Sequence, residues 1–120
     1  MQYMLLIYDE PGTWENMAEG DQAAMMNEYY RYTDSLRDAG VLVSSAPLDE
    51  TGTATTVRVR DGKRLITDGP FAETREVLGG YYVIECETLD EALGHAERVP
   101  SARFGSIEVR PVVQLPARTA

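Results

Sequence analysis

Two short stretches of this chain are apolar on both faces of an extended strand. Residues 2–8 place Tyr3, Leu5 and Ile7 on one side and Met4, Leu6 and Tyr8 on the other. Residues 81–86 do the same with Tyr81 and Val83 against Tyr82 and Ile84. Successive side chains of a strand alternate in direction, so a strand that is apolar on both faces belongs in the middle of a sheet with cover on both sides. A chain of 120 residues has room for one domain, so both central strands belong to the same sheet.

The segments around them complete the pattern. Asp9-Glu10-Pro11-Gly12 breaks the first strand. Met25, Tyr29, Tyr32 and Leu36 then recur at spacings of four, three and four, predicting a helix over 19–39 with Gly40 as its stop. Residues 41–43 read as a second strand. Asp61-Gly62 between two β-rich runs predicts a hairpin that pairs Arg60 with Lys63, Arg58 with Leu65 and Val57 with Ile66. Thr88 with Glu91 three residues on predicts a capping box, opening a helix that turns Ala92, Leu93, Ala96 and Val99 inward and stops at Pro100. Residues 107–113 form the last strand, with Pro111 near an edge or bulge, and residues 116–120 a frayed tail after one domain over 1–115. Strand, helix, strand, hairpin, strand, helix, strand is a split βαβ, or ferredoxin-like, α+β fold with a hairpin inserted at its middle.

Two helices cover one face of a four-stranded sheet, yet both faces of the central strands are apolar. The second face therefore needs a cover. The expectation is a homodimer packed sheet to sheet, of the dimeric α/β barrel type. The alternative is the inserted hairpin folding over that face.

Charge restricts the partners. Twenty acidic residues against eleven basic ones leave a net charge of −9, which argues against nucleic acid and anionic membranes. The imbalance lies in residues 1–50, with ten acids and two bases, whereas residues 51–120 hold ten acids and nine bases. An acidic ligand is therefore to be sought near the later segments. A single cysteine, Cys86, and a single histidine, His95, leave no disulfide framework, no zinc-ligand spacing and little histidine chemistry. No cofactor or metal site is expected. The apolar run at residues 4–8 is too short to cross a membrane and lacks a basic flank, so the expected compartment is the cytoplasm.

The run Asp68-Gly69-Pro70-Phe71-Ala72-Glu73-Thr74-Arg75-Glu76, followed by Gly79-Gly80-Tyr81, resembles the signature of the DGPF-domain proteins of the YCII-related superfamily. Residues 3–8, 39–42, 53–58 and 108–112 match in the same order. The resemblance implies a ferredoxin-like homodimer with a pocket near the sheet interface, and no one activity. It also implies an association with an extracytoplasmic-function sigma factor, because genes for such proteins often neighbour or fuse with one. Some members of the superfamily carry a proposed His–Asp pair, with the histidine near the first helix. Residues 1–40 contain no histidine, so that pair does not transfer.

The loop from Asp68 to Glu76 is the first candidate for a site. Gly69 and Pro70 set a rigid turn that aims Asp68 and Phe71, with Asp68 as a general acid or base and Glu73 and Arg75 at a pocket mouth. A purely structural turn explains the same residues. Arg58, on the polar face of its strand, could hold a carboxylate or phosphate, and Tyr30 lies off the inward stripe of the first helix where it could meet a ligand. His95 reads as a half-buried helix residue and Cys86 as an inert buried thiol. Two functions follow: a non-catalytic ligand-binding or regulatory dimer that takes an unidentified small organic ligand and acts beside a sigma factor, or a cofactor-independent enzyme with an aromatic pocket and Asp68 as its proton-transfer group.

Overall fold

The computed structural model describes residues 1–118. Four strands form one antiparallel sheet: β1 (Gln2–Asp9), β2 (Leu42–Pro47), β5 (Val77–Glu85) and β6 (Ser106–Pro111), in the order β2-β5-β1-β6. The two doubly apolar strands, β1 and β5, are the central pair, as their composition requires. Helices α1 (Glu19–Asp38) and α2 (Leu89–Ala96) provide the crossovers, which makes the fold ferredoxin-like. Strands β3 (Thr55–Arg60) and β4 (Lys63–Asp68) form a separate two-stranded sheet with the register expected from Asp61-Gly62. Asp61 and Gly62 both have positive φ, at 51° and 74°, as a tight hairpin turn demands.

The core lies between the sheet and the helices. Tyr3, Leu5 and Ile7 of β1 and Tyr82 and Ile84 of β5 meet Tyr32 and Leu36 of α1 and Ala92 and Ala96 of α2, with Val99 sealing the end. Alpha1 ends in a Schellman motif: Gly40, at φ 74°, donates its N–H to Arg37 and Val41 donates to Leu36. At the start of α2 the Glu91 N–H donates to Thr88 Oγ1 at 3.2 Å. The Glu91 carboxylate reaches back to the Glu87 N–H at 3.0 Å, a variant of the predicted box shifted by one residue. Leu93, expected inward, points out: Ala92 and Ala96 already face the sheet, and the eight-residue helix has a narrow buried stripe. Beta2 runs further than expected because Ser44, Ser45, Ala46 and Pro47 pair with β5 despite their low apolar content. No helix of the described residues is long and apolar enough to cross a membrane.

The outer face of the sheet is open. Met4, Leu6, Tyr8 and Tyr81 stay partly exposed there, flanked by Glu108 and Arg110 on β6. The hairpin does not close it: Val57, Val59, Leu65 and Ile66 are all exposed, and the molecule spreads to 50 × 48 × 19 Å. Its Cα radius of gyration is 16.9 Å, against about 14 Å for a compact chain of this length. The hairpin is an arm that stands away from the body.

Candidate functional site

A cavity of about 920 Å³ opens between the N-terminal half of α1, the end of the sheet and the segment after β2. Local folding builds each wall. Past the breaker at Pro11-Gly12, the segment between β1 and α1 closes in successive turns, with Asn16 N–H donating to Gly12 at 2.9 Å and Met17 N–H to Trp14 at 3.1 Å. Gln22 of α1 donates its side-chain amide to the Trp14 carbonyl at 2.9 Å, which ties the backbone at Trp14 to α1 along the cavity wall. The second wall is a stripe along α1: Met26, Tyr30, Thr33 and Arg37, again at helical spacing, beside Met25 and Tyr29. The floor is β5 from Val77 to Tyr82, and the far side is residues 45–52. Beta2 approaches β5 closely because Gly80 has no Cβ; one built there would lie 3.1 Å from the Ala46 carbonyl oxygen.

Two tyrosine hydroxyls brace this cleft, and a third ties α1 to α2 behind it. Tyr29 bonds Ser101 Oγ, Tyr32 donates to the His95 carbonyl at 2.7 Å, and Tyr82 shares a hydrogen bond of 2.7 Å with Thr33 Oγ1. The Tyr32 and Tyr82 rings meet edge to face at 5.2 Å. Burial raises the pKa of all three phenols, so they act as neutral hydrogen-bonding groups at neutral pH.

Asp9 is the group with chemical potential. The register shift between Ile7 and Tyr8, which leaves Gly79 as the extra residue on β5, re-aims the end of β1. The Asp9 carboxyl then lines the cavity. Its pKa is raised from the ordinary 3.8, by burial first and then by the charges of Glu15 and Glu76. Glu76 itself has one buried oxygen, Oε1, without a partner, while Oε2 accepts from Ser106 Oγ at 3.4 Å. The remaining charge of the cleft is one-sided. Asp9, Glu10, Glu15, Asp34, Asp49 and Glu50 line it with Arg37, whose guanidinium is bonded to Asp34 at 2.9 Å. The acid excess of residues 1–50 therefore gathers at the cleft as well as along the exposed side of α1, and disfavours an anionic ligand there.

Because Asp9 holds its proton more tightly in the folded chain than in the unfolded one, it lowers stability at neutral pH. That cost fades as the pH falls through the raised value towards the ordinary one. Asp9→Asn is expected to raise the melting temperature by about 1–3 °C at pH 7, kept small by solvent screening. The gain over the parent should vanish near pH 4. Paired thermal melts at the two pH values check this, and an equal gain at both would show that charge is not its origin.

Of the residues singled out from the sequence, Tyr30 alone lines this cleft. Asp68, Gly69, Pro70, Phe71, Glu73, Arg75 and Arg58 lie on the arm and the loop that follows it. Asp68 is exposed at the end of β4 and does not line this cleft. The turn is braced by hydrogen bonds: Gly69, at φ 97°, donates to the Ala54 carbonyl at 2.7 Å, its own carbonyl accepts from Thr56 Oγ1 at 2.8 Å, and Arg58 donates to the Phe71 carbonyl at 3.2 Å. Arg75 reaches Glu10 at 3.7 Å on the surface. Asp9, Trp14 and Thr33 escaped the sequence reading. Their signals were an acid closing a doubly apolar strand and the chain's single tryptophan in a breaker segment.

Comparison with known proteins agrees with the fold. A structure of 5-chloro-2-hydroxyhydroquinone dehydrochlorinase from Burkholderia phenoliruptrix, in complex with 2,5-dihydroxybenzoquinone, superposes with a TM-score of 0.56 over 94% of each chain, at 15% identity. An uncharacterised protein of Rhizobium meliloti is 36% identical over 114 residues, covering 93% of this chain and 92% of its own. The YCII-related domain matches residues 1–116, and the chain belongs to that family.

Proposed function

We propose that this protein binds a small planar organic molecule, neutral or cationic, in the cleft beside α1. The observation that carries this reading is a cavity walled by Trp14, Tyr29, Tyr30 and Phe104 with a partly buried carboxyl, Asp9, inside it. Aromatic walls favour a flat ring, and the surplus of carboxylates selects against negative charge. A fold neighbour that holds a planar quinone ring supports the flat shape of the ligand; the charge preference rests on the carboxylates of this cleft alone.

Trp14 is the only tryptophan, so intrinsic fluorescence reports on the cleft directly. Titration with a panel of hydroxylated benzenes, quinones and aromatic amines should give a saturable change with at least one class, weakened about tenfold or more by Tyr30→Ala. A flat response across the panel would end this reading.

The raised pKa of Asp9 favours a second step, in which the carboxyl exchanges a proton with the bound ring. Asp9 takes that role in place of Asp68 because Asp9 lines this cleft and Asp68 does not. Under this reading Asp9→Asn retains binding and loses turnover.

A further inference from the structure

The arm carries apolar side chains that no other element of the described residues buries. Val57 and Ile66 are cross-strand partners on one of its faces, at 59% and 50% exposure, and Val59 beside them is at 63%. Phe71, in the loop that the Gly69 and Arg58 hydrogen bonds brace, is 76% exposed. A two-stranded hairpin is marginal in water by itself, and an exposed aromatic on such an arm has the chemistry of an interface anchor. Charge adds a direction. Residues 58–64 hold four bases, Arg58, Arg60, Lys63 and Arg64, and one acid, Asp61. The mouth of the cleft is acidic at Glu10, Glu15, Asp49 and Glu50.

We propose that the arm is an interaction arm taken up by a second copy of this chain, with its basic end against the acidic mouth of that copy's cleft. Two-fold symmetry makes the contact reciprocal, so each arm is covered and each mouth is neutralised at once. The copies also share the open outer face of the sheet, where Met4, Leu6, Tyr8 and Tyr81 await cover. Arg75 reaches Glu10 at the mouth of its own cleft, whereas residues 68–71 lie outside that cleft and would come to stand near the partner's. This inference stands whether or not the cleft binds a planar ring, because its readout is assembly.

The test is a charge exchange followed by light scattering and sedimentation at micromolar concentration. The parent chain should be a dimer. The arm variant Arg60→Glu/Lys63→Glu/Arg64→Glu and the mouth variant Glu10→Lys/Glu15→Lys/Glu50→Lys should each dimerise about 30-fold more weakly or worse. Mixed one to one, they should recover parent-like affinity, since both arm–mouth contacts in the mixed pair are again between opposite charges. Circular dichroism verifies that each variant is folded. Should either triple variant fail to fold, Phe71→Ser, at an exposed loop position, should still weaken the dimer about tenfold or more. A monomeric parent, which leaves the arm to some other partner, overturns the proposal. So does an unchanged dimer in Phe71→Ser, or folded charge variants that dimerise normally or fail to restore one another.

Discussion

Gly105→Ala should unfold this protein more than any other single methyl group added at a glycine. A Cβ at that position collides with the Tyr8 carbonyl oxygen and lies 3.2 Å from Asp9 Cβ and 3.3 Å from the Ser101 carbonyl oxygen. None of these is the yielding end of a long side chain. Gly105 also donates its N–H to Ser101 at 2.7 Å, so it cannot swing aside without losing a hydrogen bond. Beta6 begins pairing with β1 at the next residue, where Ser106 meets Tyr8. The cost of moving backbone here is about 3 kcal/mol or more, a fall of roughly 10–15 °C in melting temperature. Gly94, on α2, is the control, because a Cβ there meets nothing within 4 Å. Thermal melts of the two variants against the parent decide the matter; equal melting temperatures would mean that the backbone at Gly105 is looser than its contacts indicate.

Leu36→Ala should have the next largest effect. Leu36 is fully buried on the inward face of α1 and fixes the C-terminal half of that helix on the sheet. Deleting its side chain removes the transfer energy and leaves a void, together about 2–5 kcal/mol. A domain this size has a total stability of only about 5–15 kcal/mol. The same helix supplies Tyr30 and Thr33 to the cleft, so loosening it should reach the site. Denaturant titration measures the loss, and Trp14 fluorescence shows whether the cleft wall has moved. A loss under about 1 kcal/mol would mean that neighbouring side chains refill the space.

Local chemistry made much of the fold legible. The doubly apolar runs located β1 and β5 at the centre, Asp61-Gly62 set the hairpin register residue for residue, and Gly40 marked the end of α1. These features depend on φ, on hydrogen-bond spacing and on the alternation of a strand, all of which act over a few residues. Beta2 runs beyond residues 41–43 because pairing with a central strand carries a polar sequence that alternation does not flag.

The site was harder to read for a physical reason. The cleft takes its lining from β1, the segment after it, α1, β2, β5 and the turn after α2. No sequence window contains it. The rigid Gly69-Pro70 turn drew attention because special backbone chemistry is visible locally, whereas a cavity is a property of distant segments brought together. Tyr30 was found because a tyrosine off an inward stripe is a local anomaly. Asp9 was missed because an acid at a strand end looks like an ordinary boundary until burial and the neighbouring Glu15 and Glu76 are in place.

The hydrogen bond from Gly69 to Ala54 closes the base of the arm, so the chain returns to the body almost where it left it. Seen from the four-stranded sheet, the fourteen residues between count for almost nothing: β2 and β5 pair as they would if joined by an ordinary loop. Length and sequence in the arm are therefore free to change without disturbing the strand order or core packing of the body. A lineage could change what this protein associates with by rewriting one detachable segment while leaving its body untouched.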